Sequence, residues 1–196
     1  MNFKTRFHLT IGLTGTIACG KSTALAAWQK AGVFVLSCDE LVREISARPV
    51  VAKKISSLLG TTNKVQLAAK IFKSPAARKK LEQLLHPLVL KEVAKRLKTA
   101  KQWVRVVEVP LLFEADLKEA FDLTVVVWAP EKQRKQWAAK RGLSCADLEK
   151  RSKAQWPQDA KVAQADICII NEGPKSVLER KIYSLQKTLQ KIYTAK

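Results

Sequence analysis

Near the amino terminus, residues 15–22 read Gly-Thr-Ile-Ala-Cys-Gly-Lys-Ser, the spacing G-x-x-x-x-G-K-S. The chemistry this spacing serves is the holding of phosphate. Glycine lets backbone N–H groups approach an oxygen with no side chain between them. A helix N-terminus adds further N–H donors and a favourable dipole. Lysine brings a mobile charge to the outer phosphates, and a serine or threonine hydroxyl offers an oxygen to magnesium. Gly15, Ala18, Cys19, Gly20, Lys21, Ser22 and Thr23 are therefore the candidate nucleotide contacts, with Ser22 the candidate metal contact.

A phosphate loop works only between a strand and a helix, and the flanking residues provide both. Residues 7–13 (FHLTIGL) form an apolar run, and KSTALAAWQKAG after the loop has good helix formers, with Gly32 placed as a C-terminal stop. Four more apolar runs, at 33–38, 104–109, 123–128 and 167–171, read as buried parallel strands. Alternation of strands with helices predicts an α/β fold, a five-stranded, doubly wound parallel sheet.

Two excursions interrupt the alternation. About 65 residues separate the second and third strands, too many for one crossover helix, and their pattern is helical. Val51, Ile55, Leu58 and Leu59 share a face, Gly60 ends that pattern, and Ser74-Pro75 reads as a cap and first helical residue. Leu81, Leu84, Leu85 and Leu88 continue at helical spacing, with a break or kink expected at His86-Pro87. Between strands four and five, PEKQRKQWAAKRG predicts a helix ending at Gly142, and Ser144 with Asp147 opens another. The expected organisation is a core of 1–45 and 101–196, a helical acceptor-binding insertion at 46–100, and a helical lid at 131–161. The last 20 residues predict an amphipathic helix packed through Leu178, Ile182, Leu185, Leu189 and Ile192.

The chain has 196 residues and a formal charge of +19. Residues 46–100 hold 13 Lys and Arg against Glu82 and Glu92, and residues 131–161 hold nine against four acids. Such a field favours anionic partners. Four cysteines without C-x-x-C spacing and two histidines argue against zinc. No apolar segment is long enough to span a bilayer and no secretory leader is evident, so a reduced, soluble, cytoplasmic protein is expected, without a membrane partner. An N-K-x-D-like guanine reader is absent, and a small kinase with a basic lid fits better than a GTPase or a motor.

From here the residues resemble a specific family, the dephospho-coenzyme A kinases. The resemblance is carried in order by IGLTGTIACGKST, VFVLSCDELVRE, IFKSPAARKKLEQLLHPLV, VEVPLLFEADL, DLTVVVWAP, Arg151 with Gln155, and QADICIINEG. It implies a P-loop kinase in which ATP phosphorylates the ribose 3′-hydroxyl of dephospho-coenzyme A, with Mg2+. It further implies Asp39 as base or orienter, unless it is merely a helix N-cap. Lys21 and lid cations would serve the transferring group. Arg43 matches a basic position near the acceptor, or else makes a surface salt bridge. His86 matches the H-P pair, as a ligand contact or a buried structural histidine. Pro110, Leu111 and Leu112, with Glu114 nearby, would wall the acceptor, the two leucines also being core candidates. Arg151, Asn171 and Gly173 would lie on the ATP side.

The chain departs from the family pattern at several points. Thr16 replaces a glycine, Ala18-Cys19 the small pair before Gly20, and Ser37 the first aspartate of D-A-D. Lid arginines appear as Gln136 and Lys140, with Arg141 adjacent and Lys161 a later basic position. Lys140 and Arg141 are the candidate catalytic cations; lysine keeps the charge but not the bidentate fork. The alternatives are another small P-loop kinase, a basic nucleic-acid-binding protein with a vestigial nucleotide site, or a member that binds without catalysis. No signature of specific nucleic-acid recognition is present, and a monomer or weak homo-oligomer is expected.

Overall fold

The computed structural model describes residues 1–5 and 8–194. Phe7, the first residue of the expected first strand, lies outside the described residues. The strands are β1 (Leu9–Thr14), β2 (Phe34–Ser37), β3 (Val104–Glu108), β4 (Leu123–Trp128) and β5 (Ile167–Ile170). They form one sheet in the order β2-β3-β1-β4-β5. β1 pairs in parallel with β3, Leu9 opposite Val104 through Leu13 opposite Glu108, and in parallel with β4. β4 pairs in parallel with β5. The chain leaves β1 to build one side of the sheet, then returns past it to build the other. The loop after β1 therefore stands at the switch point, where crevices form in open α/β sheets.

Two compact units are present, one of residues 1–36 and 100–196, the other of residues 37–99. In the first, β1 is buried along its whole length. Helix α1 (Lys21–Lys30) packs against the carboxyl-terminal helix α9 (Lys175–Thr194). Trp28, Leu178 and Ile182 join Ile11, Leu13, Val106, Val125 and Val127 in a single apolar core. Ile192, expected in that stripe, is exposed: it lies in the last turn of α9, beyond the buried Leu189.

The second unit contains α2 (Cys38–Ser46), α3 (Pro49–Leu59), α4 (Lys64–Lys73) and α5 (Pro75–Thr99). α5 packs against the other three. Gly60 ends α3 in the left-handed region at φ 74°, where L side chains are strained. Ser74 Oγ accepts from Ala77 N at 3.2 Å, capping α5. The expected break at Pro87 does not occur, and α5 runs unbroken for 25 residues. His86 and Pro87 face solvent. Water can therefore satisfy the Gln83 carbonyl that loses its N–H partner. Leu58 is exposed rather than core, while Val51, Ile55 and Leu59 carry the buried face of α3.

A closed network of two glutamates and two arginines ties these helices. Arg48 reaches Glu44 at 2.9 Å and Glu92 at 3.2 Å, and Arg96 reaches Glu44 at 2.5 Å and Glu92 at 2.9 Å. Arg48 holds Glu44, and Arg96 holds Glu92, below the usual carboxylate range.

In the first unit α6 (Glu131–Ala139), α7 (Cys145–Lys153) and α8 (Gln158–Gln164) follow β4. Ser144 Oγ accepts from Asp147 N at 3.1 Å, capping α7 at the spacing read from the sequence, and donates to the Asp147 carboxylate at 2.8 Å. The short α8 was not legible as a separate helix. Among the described residues no helix is long and apolar enough to cross a membrane.

Candidate active site

The loop between β1 and α1 is shaped by three left-handed residues, Gly15 (φ 145°), Ala18 (φ 63°) and Gly20 (φ 105°). A Cβ on Gly15 would stand 2.5 Å from the Val127 carbonyl oxygen and 2.7 Å from Cys19 Sγ, so only glycine fits. A Cβ on Gly20 would collide with the Asn171 side chain. Ala18 adopts the strained conformation without being glycine, its methyl packed with Ala138 and Leu148. The N-cap of α1 is Gly20 itself, with no side-chain cap. The first-turn N–H groups of α1 thus keep their capacity for an external acceptor.

Lys21 Nζ donates to the Gly15 carbonyl at 2.9 Å and the Thr16 carbonyl at 3.0 Å, laying its ammonium across the loop. Ser22 is exposed and Thr23 half-buried beside it. Cys19 is fully buried, and its carbonyl accepts from Asn171 Nδ2 at 2.8 Å. Asn171 N in turn donates to the Trp128 carbonyl at 2.7 Å. The asparagine after β5 therefore braces the loop from behind. Gly173 lies in the bend before α9.

A second group converges on Pro110. Its carbonyl accepts from Thr14 Oγ1 at 3.3 Å and from Lys161 Nζ at 2.8 Å. Lys161 is fully buried and pairs with Glu114 at 2.8 Å, and Glu114 also accepts from Trp156 N at 2.7 Å. Phe113 and Trp156 stack with ring centroids 6.4 Å apart. Burial pushes the Lys161 ammonium below its ordinary range; the Glu114 carboxylate opposes that shift, and the charge of Lys21 adds to it. Lys161, expected as a lid cation, is thus a buried pin between α8 and the P-L-L-F-E segment. Leu112 is fully buried and closes with Phe121 over Gly12, while Leu111 is half-buried.

Residues of the segment expected as a lid touch the crown of the loop. Gln155 Oε1 accepts from Ile17 N at 2.9 Å. Arg134 Nη1 lies 3.3 Å from Thr16 Oγ1 and 3.4 Å from the Ile17 carbonyl. Lys140 and Arg141 are exposed just past the end of α6, and Arg151 is exposed on α7. Sequence reasoning passed over Arg134. The signal available was its place one turn before Ala138, the buried residue of α6.

In the second unit, Asp39 is exposed in the first turn of α2, two residues beyond β2. It is not the N-cap, a position taken by Ser37 because the chain is still extended there. The Asp39 backbone carbonyl accepts from Arg43 Nε at 3.2 Å, and this contact, rather than a salt bridge, is what Arg43 makes among the described residues. His86 is exposed on α5, which excludes the buried structural reading.

The comparisons with known proteins agree with one another. A family model described as dephospho-CoA kinase matches residues 9–176. The dephospho-CoA kinase of Enterococcus faecalis is 33% identical over 184 residues, covering 88% of this chain and 92% of that one. A solved structure from Thermus thermophilus superposes with a TM-score of 0.83 at 29% identity, covering 94% of this chain and 99% of that one. The dephospho-CoA kinase from Campylobacter jejuni superposes with a TM-score of 0.64 at 20% identity, covering 93% and 97%, a likeness of fold.

Proposed function

The chain belongs to the dephospho-CoA kinase family, and from that premise we propose how its residues carry out the ATP-dependent phosphorylation of dephospho-CoA to CoA. The observation that carries the donor half is the β1–α1 corner, uncapped at Gly20, with Lys21 laid on the Gly15 and Thr16 carbonyls. ATP enters with its β and γ oxygens on the loop N–H groups, and Lys21 exchanges two neutral carbonyls for charged oxygens. Gly15, Ala18, Cys19, Gly20, Ser22 and Thr23 line this cradle, and Arg151, Asn171 and Gly173 complete the ATP side. Asn171 acts there by holding Cys19 in place.

The ribose 3′-oxygen attacks the γ-phosphorus, the bond to the β,γ-bridging oxygen breaks, and ADP leaves. The hydroxyl proton passes to the Asp39 carboxylate and then to solvent. Asp39 takes this role as the match to the family's second D-A-D aspartate. The transition state is loose and highly charged, so the main contribution is positioning and neutralisation. Lys21, with Lys140 and Arg141 from the lid at 131–161, supplies the positive charge. By the family resemblance Pro110, Leu111 and Glu114 serve the acceptor from the first unit, with the buried Leu112 behind them, and Arg43, His86 and the basic insertion at 46–100 serve it from the second.

Among the described residues no cluster of His, Cys, Asp and Glu could hold a metal by itself. The exposed Ser22 hydroxyl beside Lys21 is a hard oxygen donor of the kind Mg2+ accepts. Magnesium bound there with ATP would neutralise part of the outer phosphate charge. In this reading the partners are ATP and dephospho-CoA, in the cytoplasm, with the chain a monomer or weak homo-oligomer and no specific nucleic acid involved.

The test is ADP release in a coupled assay with and without dephospho-CoA, beside a panel of nucleoside monophosphates and shikimate. Release should depend on dephospho-CoA, and Asp39→Asn should lower kcat by about 100-fold or more. Transfer to another acceptor of the panel in preference to dephospho-CoA would overturn the assignment.

A further inference from the structure

We propose that Arg134 is the lid residue that grips the γ-phosphoryl group and so distinguishes ATP from ADP, an inference that rests on the ATP-dependent reading above. The family resemblance places lid arginines where this chain has Gln136 and Lys140. Gln136 carries no charge, and both residues are exposed. Arg134 instead lies on the face of α6 that carries the buried Ala138, and its guanidinium stands over the phosphate loop.

Its present partners are poor ones for a cation. The two contacts, 3.3 Å to a hydroxyl and 3.4 Å to a carbonyl, are long and use one nitrogen of a group with five N–H donors. Nε is buried without a hydrogen-bond partner. Among the described residues Arg134 forms no ion pair; Glu131, one turn earlier, pairs with Lys135 at 2.8 Å and feels Arg134 only as a weaker, longer-range charge. The guanidinium of this half-buried arginine thus keeps donor capacity that an anionic acceptor would use.

The position of that anion follows from Thr16. Lys21 Nζ reaches its carbonyl at 3.0 Å and Arg134 Nη1 its hydroxyl at 3.3 Å, so two cations converge on one residue. Two cations that bond one residue favour a negative group within reach of both. The outer phosphate of a nucleotide seated on the loop provides that group. Its oxygens match the planar fork, which Lys140 cannot offer. As charge spreads over the equatorial oxygens during transfer, the guanidinium opposes it. ADP lacks these oxygens, and the contact vanishes with them.

The experiment compares Arg134→Met with Arg134→Lys and with Lys132→Met, an exposed control on the same helix. ATP and ADP affinities are read by titration calorimetry, and kcat and KM by ADP release. Charge-assisted bonds of this kind correspond to roughly 10- to 100-fold in affinity. R134M should weaken ATP by that factor and ADP by less than about threefold, with kcat falling at least about tenfold. R134K should recover part of both losses, and K132M should match the wild type. Equal weakening of ATP and ADP would make Arg134 a mere support of the loop and sink the proposal, as would unchanged ATP binding. If R134M melts below the assay temperature, the ATP-to-ADP affinity ratio of R134K decides in the same way. Because the affinities need no acceptor, a wrong acceptor assignment leaves this outcome readable.

Discussion

Replacing Lys161 by methionine tests the pin between α8 and the P-L-L-F-E segment. In the wild type the buried ammonium satisfies Glu114 at 2.8 Å and the Pro110 carbonyl at 2.8 Å. Methionine fills most of the volume but leaves a carboxylate without its cation. Breaking one half of a buried pair costs about 3–5 kcal/mol. The lower end applies here, because 14% of the Glu114 side chain is exposed and Trp156 N still donates to it. Pro110 likewise keeps the Thr14 hydroxyl. A loss of about 3 kcal/mol should lower the Tm by roughly 6–12 °C for a chain of this length. K161M/E114Q removes both charges while keeping an acceptor for Trp156, and should return to within about 1 kcal/mol of the wild type. Burial also lowers the Lys161 pKa from the ordinary 10.5. The unfolded chain then binds more protons, so this group adds stability as pH rises through the window below 10.5. K161M should lose that slope. Urea melts of the wild type, both single variants and the double variant across pH 7–10 provide the check. A double variant as unstable as the sum of its singles, or K161M within about 0.5 kcal/mol of the wild type, would refute the pairing argument.

Three further outcomes are expected. Lys21→Ala should reduce kcat/KM about 100- to 1,000-fold with little change in melting temperature, since the ammonium bonds only carbonyls of the loop; a comparable loss of stability would show that the lysine is structural. Gly20→Ala forces a methyl against Asn171 at φ 105° and should cost about 2–4 kcal/mol by urea denaturation, whereas Gly32→Ala, with open space around it, should cost only the left-handed strain of about 1 kcal/mol. Glu44 and Glu92 have folded values below the ordinary 4.5, so their contribution is complete above that pH and is lost as pH falls through the depressed values. Glu92→Gln should flatten the acid limb of helix unfolding, less so at high salt because the network is partly exposed.

The sheet was legible because parallel strands buried on both faces leave continuous apolar runs, and all five surfaced within two residues of their observed limits. The phosphate loop was legible because its glycines answer local steric demands. Pro87 misled because sequence shows a lost N–H but not that the helix turns that face to water. Ser37, not Asp39, takes the cap of α2 because β2 ends at Ser37, one residue before the expected limit, and the helix begins at Cys38. Arg134 and Lys161 were opaque for a common reason. Sequence spacing reports charge, whereas their roles depend on which face of a short helix is covered, and by what. Lys161 looked like solvent-facing charge and proved to be interior.

The contact from Asn171 to Cys19 spans 152 residues, and those from Gln155 and Arg134 to the loop crown span 138 and at least 117. The phosphate motif therefore leaves the ribosome long before the parts that shape it. Local turns form within microseconds, but closure over such separations waits for most of the chain to be made. Until then the loop carbonyls and the central strand lack their neighbours, and a nascent polypeptide shows chaperones an apolar edge. A chain truncated before residue 171 would carry the whole motif and still fail to retain nucleotide on an ATP resin.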